Sequence, residues 1–344
     1  MLQQVFGNKV RELRLQQGLS QDELAFYCGM DRPQITKIEQ GKVNVTLETI
    51  ERLSQALRIK TSLLLEETKA FRPFVKWAGG KTQLLERLHA YMPKTYNNYF
   101  EPFIGGGSFF LNIAPKTATI NDFNAELVCA YKCFQNDELF ESLKNELKKH
   151  EVNHSEEYYY QIRSMDKEDG FFSLPIYVRA ARMIYLNKAC FNGLYRVNSK
   201  GFFNVPSGRK KKVVAFDEDN FNSLRGYFRN NDITILNGDF EEAANNAKAG
   251  DFVYFDPPYD VIENKNSFTS YAKNDFGKDE QIRLANLYKK LSARGVFVML
   301  SNHNTAFINE LYKGFNIHVV SAKRMINSKA DGRGDVEEVI ITNY

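Results

Sequence analysis

The sequence predicts an α/β protein: a mostly parallel sheet covered by helices on both faces, with a lobe inserted into it and a small all-α unit in front. From about residue 71, short β-prone runs alternate with helical stretches. Examples are Ala118-Thr119-Ile120, Asp232-Ile233-Thr234-Ile235-Leu236, Phe252–Phe255 and Val296-Phe297-Val298-Met299-Leu300. Between about residues 151 and 230 that alternation gives way to aromatic, basic and Gly/Asn-rich residues, the mark of an inserted lobe. Residues 1–66 contain no strand-like run and are dense in helix start and stop signals. The expected organisation is therefore 1–66 and 71–344, the latter carrying the 151–230 lobe.

The N-terminal elements follow from their caps. Gly18 ends one helix, and Ser20-Gln21-Asp22-Glu23 is a capping box that starts the next. Asp31 caps a third helix with Gln34 three positions on, Gly41 closes it, and Thr46 caps a fourth carrying Ile50, Leu53 and Leu57 on one face. Ala25 stands where two crossing helices need a small side chain, Gly29 takes the turn, and Ile35 and Ile38 face inward. With Leu19-Ser20-Gln21 and Ile38-Glu39-Gln40-Gly41, this segment resembles the small phage-repressor-like helix-turn-helix family. In such folds the third helix enters the major groove. Asp31, Arg32, Gln34, Thr36 and Lys37 are then candidates for base or phosphate contact, and Gln21 for a phosphate contact from the second helix. Glu66-Glu67-Thr68-Lys69-Ala70 reads as a polar junction.

Bulk properties set limits. The chain has 344 residues, 43% of them hydrophobic and 26% charged, which fits a folded protein of more than one domain and excludes wholesale disorder. A net charge of +4 does not by itself announce a nucleic-acid partner, but the block Arg209-Lys210-Lys211-Lys212 beside apolar residues does. The four cysteines form no C-x-x-C pair and no zinc-finger set, so no metal is expected and reduced thiols are. No leader-like opening and no membrane-length apolar run appear, which makes cytoplasmic residence the default reading.

Asp256-Pro257-Pro258-Tyr259 is the segment richest in chemistry. The apolar run Phe252–Phe255 reads as a buried strand stopped by two prolines, which delivers Asp256 to the carboxyl edge of the sheet, where open α/β folds place their ligands. A carboxylate, proline carbonyls with no competing N–H and an adjacent aromatic ring together suit a planar exocyclic amine. Upstream, Glu101-Pro102-Phe103-Ile104-Gly105-Gly106-Gly107-Ser108 puts three glycines after a short strand, where Gly105 and Gly107 let the backbone approach a ligand and turn into a helix. The loop lacks both the G-x-G-x-x-G of dinucleotide sites and the G-K-[ST] of a P-loop. Asp122 ends the next strand, a position that commonly accepts hydrogen bonds from ribose hydroxyls.

Taken in order, Trp77-Ala78-Gly79-Gly80-Lys81, the Glu101–Ser108 loop, Asn121-Asp122-Phe123-Asn124 and Asp256–Tyr259 resemble the Dam-type DNA adenine-N6 methyltransferases. The placement of the lobe between the glycine loop and Asp256 resembles the alpha class of these enzymes. The resemblance implies a Rossmann-like S-adenosylmethionine-dependent fold. In it Trp77, Lys81, Asp122 and Asp256 bind the cofactor, with Asp239 a weaker candidate, and Asp256, Pro257 and Tyr259 carry catalysis.

Cys190-Phe191-Asn192-Gly193-Leu194-Tyr195-Arg196, leading into Gly201–Arg209, reads as part of a hairpin spanning 187–209 with aromatic and cationic tips. The same resemblance gives its residues roles. Phe191 would wedge into the base stack, Asn192 would hold the orphaned partner, Leu194 and Arg196 would read a flanking pair, and Lys76 would address the first base. Pro206 lies on the same hairpin, and Arg209 and Lys210 would grip phosphate. These positions match members that methylate adenine in GATC. Double-stranded DNA is the implied partner, with an operator for the helix-turn-helix and a cognate restriction endonuclease acting without direct contact as further members of such a system. Two other readings stay open: methylation of cytosine N4, and a transcriptional regulator with secondary methylase activity.

Overall fold

Helix caps written into the sequence define the first unit. In a computed structural model the described residues are 2–65, 71–261, 276–323 and 335–344. They fall into two units, Met1–Ala70 and Phe71–Tyr344, and the polar junction at 66–70 lies outside the described residues. The first unit holds α1 (Leu2–Gln16), α2 (Gln21–Cys28), α3 (Arg32–Glu39), α4 (Leu47–Ala56) and α5 (Thr61–Leu65). Ser20 Oγ accepts from Glu23 N at 3.1 Å while the Glu23 carboxylate accepts from Ser20 N at 2.7 Å, closing the capping box. Asp31 and Thr46 cap α3 and α4 through the amides of Gln34 and Thr49. Each such cap contributes about 0.5–2 kcal/mol.

The apolar faces so ordered meet in a core of Phe6, Val10, Leu24, Ala25, Ile35, Ile38, Leu53 and Leu57. Gly7 lets α1 lie directly on the end of α3, since a β-carbon there would stand 2.2 Å from the Ile38 carbonyl oxygen. A buried Arg14–Glu39 pair at 2.6 Å joins the same two helices.

The second unit is built on a seven-stranded sheet among the described residues, in the order β3-β2-β1-β4-β5-β7-β6. The strands are β1 (Tyr99–Glu101), β2 (Thr117–Asp122), β3 (Asp232–Asn237), β4 (Phe252–Phe255), β5 (Phe297–His303), β6 (Asn316–Lys323) and β7 (Asp335–Thr342). The first five run parallel; β7 is antiparallel to both β5 and β6. Every residue of β4 is buried, with Phe252 and Tyr254 in one core and Val253 and Phe255 in the other, as expected of a parallel strand covered on both faces.

Among the described residues, ten α-helices cover the sheet. The first core takes in residues of α6 (Leu85–Tyr91), α7 (Ser108–Ile113), α8 (Ala125–Cys133), α9 (Asp137–Val152), α10 (Glu156–Ser164), α11 (Ile176–Ala189) and α12 (Glu218–Asn230). The second takes in residues of α13 (Phe240–Ala244), α14 (Lys278–Ala293) and α15 (Ala306–Leu311).

The inserted segment packs on the sheet's own core: Tyr159, Met183, Phe203 and Phe221 belong to the same cluster as Tyr99 and Ile120. Helix α11 is buried nearly all round, and it reaches Ala189, so the hairpin read from residue 187 begins only at Cys190. That hairpin is pinned by two bridges, Cys190↔Ser207 and Val197↔Phe203, and turns at Asn198–Gly201, where Gly201 N donates to Asn198 O at 2.9 Å. Periodicity was no guide here, because a helix buried on all sides shows no polar stripe. All four cysteines are free and buried, and burial raises the Cys28 thiol to about 11. No described helix is long and apolar enough to cross a membrane.

Candidate active site and nucleic-acid interface

Strands β1 and β4 are neighbours, yet β1 leads to β2 on one side while β4 pairs with β5 on the other. This reversal is a topological switch point, and open sheets bind their ligands at the carboxyl ends of the strands there. The glycine loop follows β1 and Asp256-Pro257-Pro258-Tyr259 follows β4, so strand order alone brings these two segments together.

Asp256 lies in a cluster of charged and phenolic groups. Lys81 Nζ stands 2.8 Å from Asp256 Oδ1, donates to the Gly79 carbonyl at 2.6 Å, and sits 4.6 Å above the centre of the Tyr259 ring. The Tyr259 hydroxyl donates to Glu338 Oε2 at 3.0 Å, and the His303 ring meets Tyr259 edge-on at 4.9 Å. Burial raises the Asp256 carboxyl above its ordinary value, and Lys81 draws it partly back. Beneath them, burial also holds Glu101 well above the usual carboxylate range, although Tyr99 donates to it at 2.6 Å. Of the two proline carbonyls, that of Pro258 accepts from the Gln281 side chain at 2.9 Å.

The glycine loop is tied to the end of β2 by Asp122. One carboxylate oxygen accepts from Gly105 N at 2.9 Å and the other from Asn124 N at 2.8 Å; burial raises this carboxyl, and both amides lower it. Gly105 and Gly107 adopt positive φ of 48° and 70°, conformations that favour glycine. A β-carbon on Gly105 would stand 2.7 Å from Trp77 Cδ1, so the loop lies flat against the indole. Trp77 stacks on Tyr195 at 5.1 Å, which joins this pocket to the inserted segment. Phe123, 73% exposed although large and apolar, follows Asp122 directly. Sequence reasoning passed over Phe123, and its signal was the bulky apolar residue immediately after the acid at a strand end. Asp239 caps α13 through Glu241 N and is engaged by Arg283, which also binds Glu241 and Glu280.

In the inserted segment Phe191 is 54% exposed and Asn192 holds a positive φ of 56° beside it. Lys76 is exposed, and its backbone is clamped by the buried Asn187 side chain, which accepts from Lys76 N at 2.9 Å and donates to Lys76 O at 2.8 Å. The same amide donates to the Gly193 carbonyl at 3.0 Å, and a β-carbon on Gly193 would stand 2.6 Å from Lys76 Cδ. Lys76 and the 191–196 loop are thus packed as one surface. Arg196 is exposed and anchored through Nε to Asn204 Oδ1 at 2.7 Å, whereas Leu194 is half-buried against the core. Pro206, Arg209 and Lys210 are exposed; Arg209 sits 3.8 Å from Glu156, and Lys210 Nζ donates to the Lys188 carbonyl.

In the first unit Asp31, Arg32, Gln34 and Lys37 lie on the exposed face of α3. Gln21 is spent differently: its amide donates to Glu39 Oε2 at 2.8 Å and accepts from Thr36 Oγ1 at 3.1 Å, bracing α2 against α3.

Two family profiles match the chain. One, described as D12 class N6 adenine-specific DNA methyltransferase, covers residues 77–326; the other, described as helix-turn-helix, covers residues 10–64. Among similar proteins, the type II methyltransferase M1.LlaDCHI of Lactococcus lactis subsp. cremoris is 46% identical over 82% of this chain and 99% of its own length. The type II methyltransferase M.MjaIII of Methanocaldococcus jannaschii is 44% identical over 79% of this chain and 99% of its own. A DNA adenine methylase of Vibrio cholerae is 34% identical over 79% of this chain and 96% of its own.

Proposed function

The chain belongs to the D12 class of N6 adenine-specific DNA methyltransferases, with a helix-turn-helix domain at its N-terminal end, and from that premise we propose that it uses S-adenosylmethionine to methylate a flipped adenine in GATC. The observation that supports this most is the grouping of Asp256, Lys81 and Tyr259 at the sheet's switch point, beside a glycine loop pressed flat against Trp77.

The residues at the pocket fit the cofactor. Asp122 retains acceptor capacity for ribose hydroxyls beyond its two backbone amides, Phe123 offers an exposed ring, and Trp77 and the backbone of Gly105 and Gly107 form the wall. Lys81 would pair with a carboxylate and Asp256 with an amino group; Asp239, already engaged by Arg283, would contribute least. When bound, the cofactor supplies an electrophilic sulfonium methyl group. The chain's own work is on the adenine. Asp256 would accept one N6 hydrogen and the Pro257 carbonyl the other, because the Pro258 carbonyl is committed to Gln281. Two acceptors so placed draw the nitrogen lone pair out of conjugation, and Tyr259 would lie against the base. Catalysis on this reading is positioning and electrostatics.

Extruding the base costs a few kcal/mol, and the surface built from Lys76 and residues 191–196 is suited to meet that cost. Phe191 would fill the gap and Asn192 contact the orphaned partner. Lys76, Leu194 and Arg196 would read flanking bases, where a bidentate arginine–guanine contact discriminates by about 1–3 kcal/mol. Pro206, Arg209 and Lys210 would follow the backbone. Through Gln34 and Lys37, with Gln21 limited to phosphate, the helix-turn-helix would bind a separate operator. The type II names of two relatives fit a role beside a restriction endonuclease.

The test is to incubate the full chain, and residues 71–344 alone, with labelled S-adenosylmethionine and a random DNA pool, and to map the modified bases. Both are expected to yield N6-methyladenine in GATC, while only the full chain retains an operator site. Methylation at another sequence overturns the specificity, and loss of methylation on truncation overturns the division of labour.

The cofactor reading is checked optically, because Trp77 is the sole tryptophan. Titration with S-adenosylhomocysteine is expected to change its emission. Gly105→Ala, which combines a positive φ with contact on the indole, is expected to weaken that binding about 10-fold or more. Unchanged affinity in this variant would remove Trp77 and the loop from the cofactor site.

A further inference from the structure

Glu338 stands at a position where strand parity calls for an apolar residue. On β7 it shares a face with Ile340, which is fully buried in the first core, and it pairs in register with His303 of β5 and Val320 of β6. Its carboxylate turns instead to the loop after β4 and accepts the Tyr259 hydroxyl at 3.0 Å. Tyr259 is thereby held with its phenol end on Glu338, one edge on His303 and one face under Lys81, and the Asp256 carboxylate also interacts with its hydroxyl. The contacts with Lys81 on the face and His303 at the edge resist rotation of the ring about its own axis, whereas the hydrogen bond at its tip pins the phenol end and so sets the tilt of the ring. We propose that Glu338 is a positioning residue for methyl transfer, acting through the Tyr259 hydroxyl to fix the plane of the ring on which the extruded adenine rests. The inference rests on the reading of Tyr259 given above and deepens it.

A hydrogen bond to a charged acceptor that sets the plane of a stacking surface should matter more to turnover than to ground-state binding. Glu338→Ala is expected to slow single-turnover methylation about 10-fold to 100-fold, with S-adenosylhomocysteine and duplex affinities little changed. Glu338→Gln keeps an acceptor oxygen and should stay within about 3-fold of the parent. Tyr259→Phe should lose at least as much as Glu338→Ala, and adding Glu338→Ala to it should cost nothing further.

A second readout needs no cofactor. With a duplex carrying 2-aminopurine at the target position, Glu338→Ala and Tyr259→Phe should share one altered emission on binding, absent from Glu338→Gln. Multiplying losses in the double variant, a Glu338→Gln as impaired as Glu338→Ala, or a Glu338→Ala at parental rate each overturns the proposal. Asp256→Ala run alongside separates the two levels. If it still transfers methyl groups, the reading of the whole site falls; if it is inactive while Glu338→Ala is normal, only the role of Glu338 falls.

Discussion

Asp256→Ala is expected to bind duplex DNA as the parent does and to lose turnover by on the order of 10³-fold, measured as single-turnover transfer of labelled methyl groups beside fluorescence anisotropy with the same duplex. The adenine amine is a weak nucleophile because its lone pair is shared with the ring. On the proposed mechanism, removing one of the two acceptors for the amine removes help needed only as the new bond forms, so the loss falls on kcat rather than on binding. The surface proposed to hold DNA, from Lys76, residues 191–196 and the Arg209 block, is made of other residues. Asp256→Ala also releases Lys81, which now stands 2.8 Å from the carboxylate, and the variant should therefore be compared with Asp256→Asn, which keeps an acceptor oxygen near that position. Parental turnover in Asp256→Ala would end the assignment.

Arg182→Ala should destabilise the second unit by about 3–5 kcal/mol, read as a lowered midpoint in denaturant with the same slope. Arg182 is 1% exposed and lies 2.7 Å from both Glu126 of α8 and Asp166, which follows α10. It further donates to the carbonyls of Ile162 and Arg163. Deleting it removes the cation bonded to both buried carboxylates and leaves only the weaker pull of Arg179 on Glu126. Asp166 also accepts from Phe203 N at 2.7 Å, so the same change should loosen the hairpin that carries Arg196 and reduce discrimination between duplexes. A loss under 1 kcal/mol would show that water reaches the cluster.

What could be read from the sequence was whatever local backbone chemistry writes there. Ser20, Asp31 and Thr46 announce their helices because a cap is a contact three residues long. The strand stopped at Asp256 and the glycine turn after Glu101 are legible for the same reason. The alternation of β-prone and helical stretches identified the α/β class without any knowledge of which strands pair. Distance along the chain hid the rest. Nothing near Glu338 marks it, because its meaning comes from β7 lying against β5. Strands β6 and β7 escaped notice for a related reason: an antiparallel pair at the end of a parallel sheet breaks the alternation that revealed the others. Asn187 looked like the start of a hairpin, whereas it is the last buried turn of α11 and the clamp on Lys76.

Among the described residues strand β6 joins the sheet solely through β7, and β7 must in turn slot beside β5. Tyr259 and Glu338 lie 79 positions apart, so their contact closes a long loop, and long closures form late in folding. The helix-turn-helix draws its core from neighbouring helices and needs no such wait. A refolding chain should therefore complete its helix-turn-helix before it closes the contact between Tyr259 and Glu338, passing through an interval in which the small unit is native and the sheet edge is not.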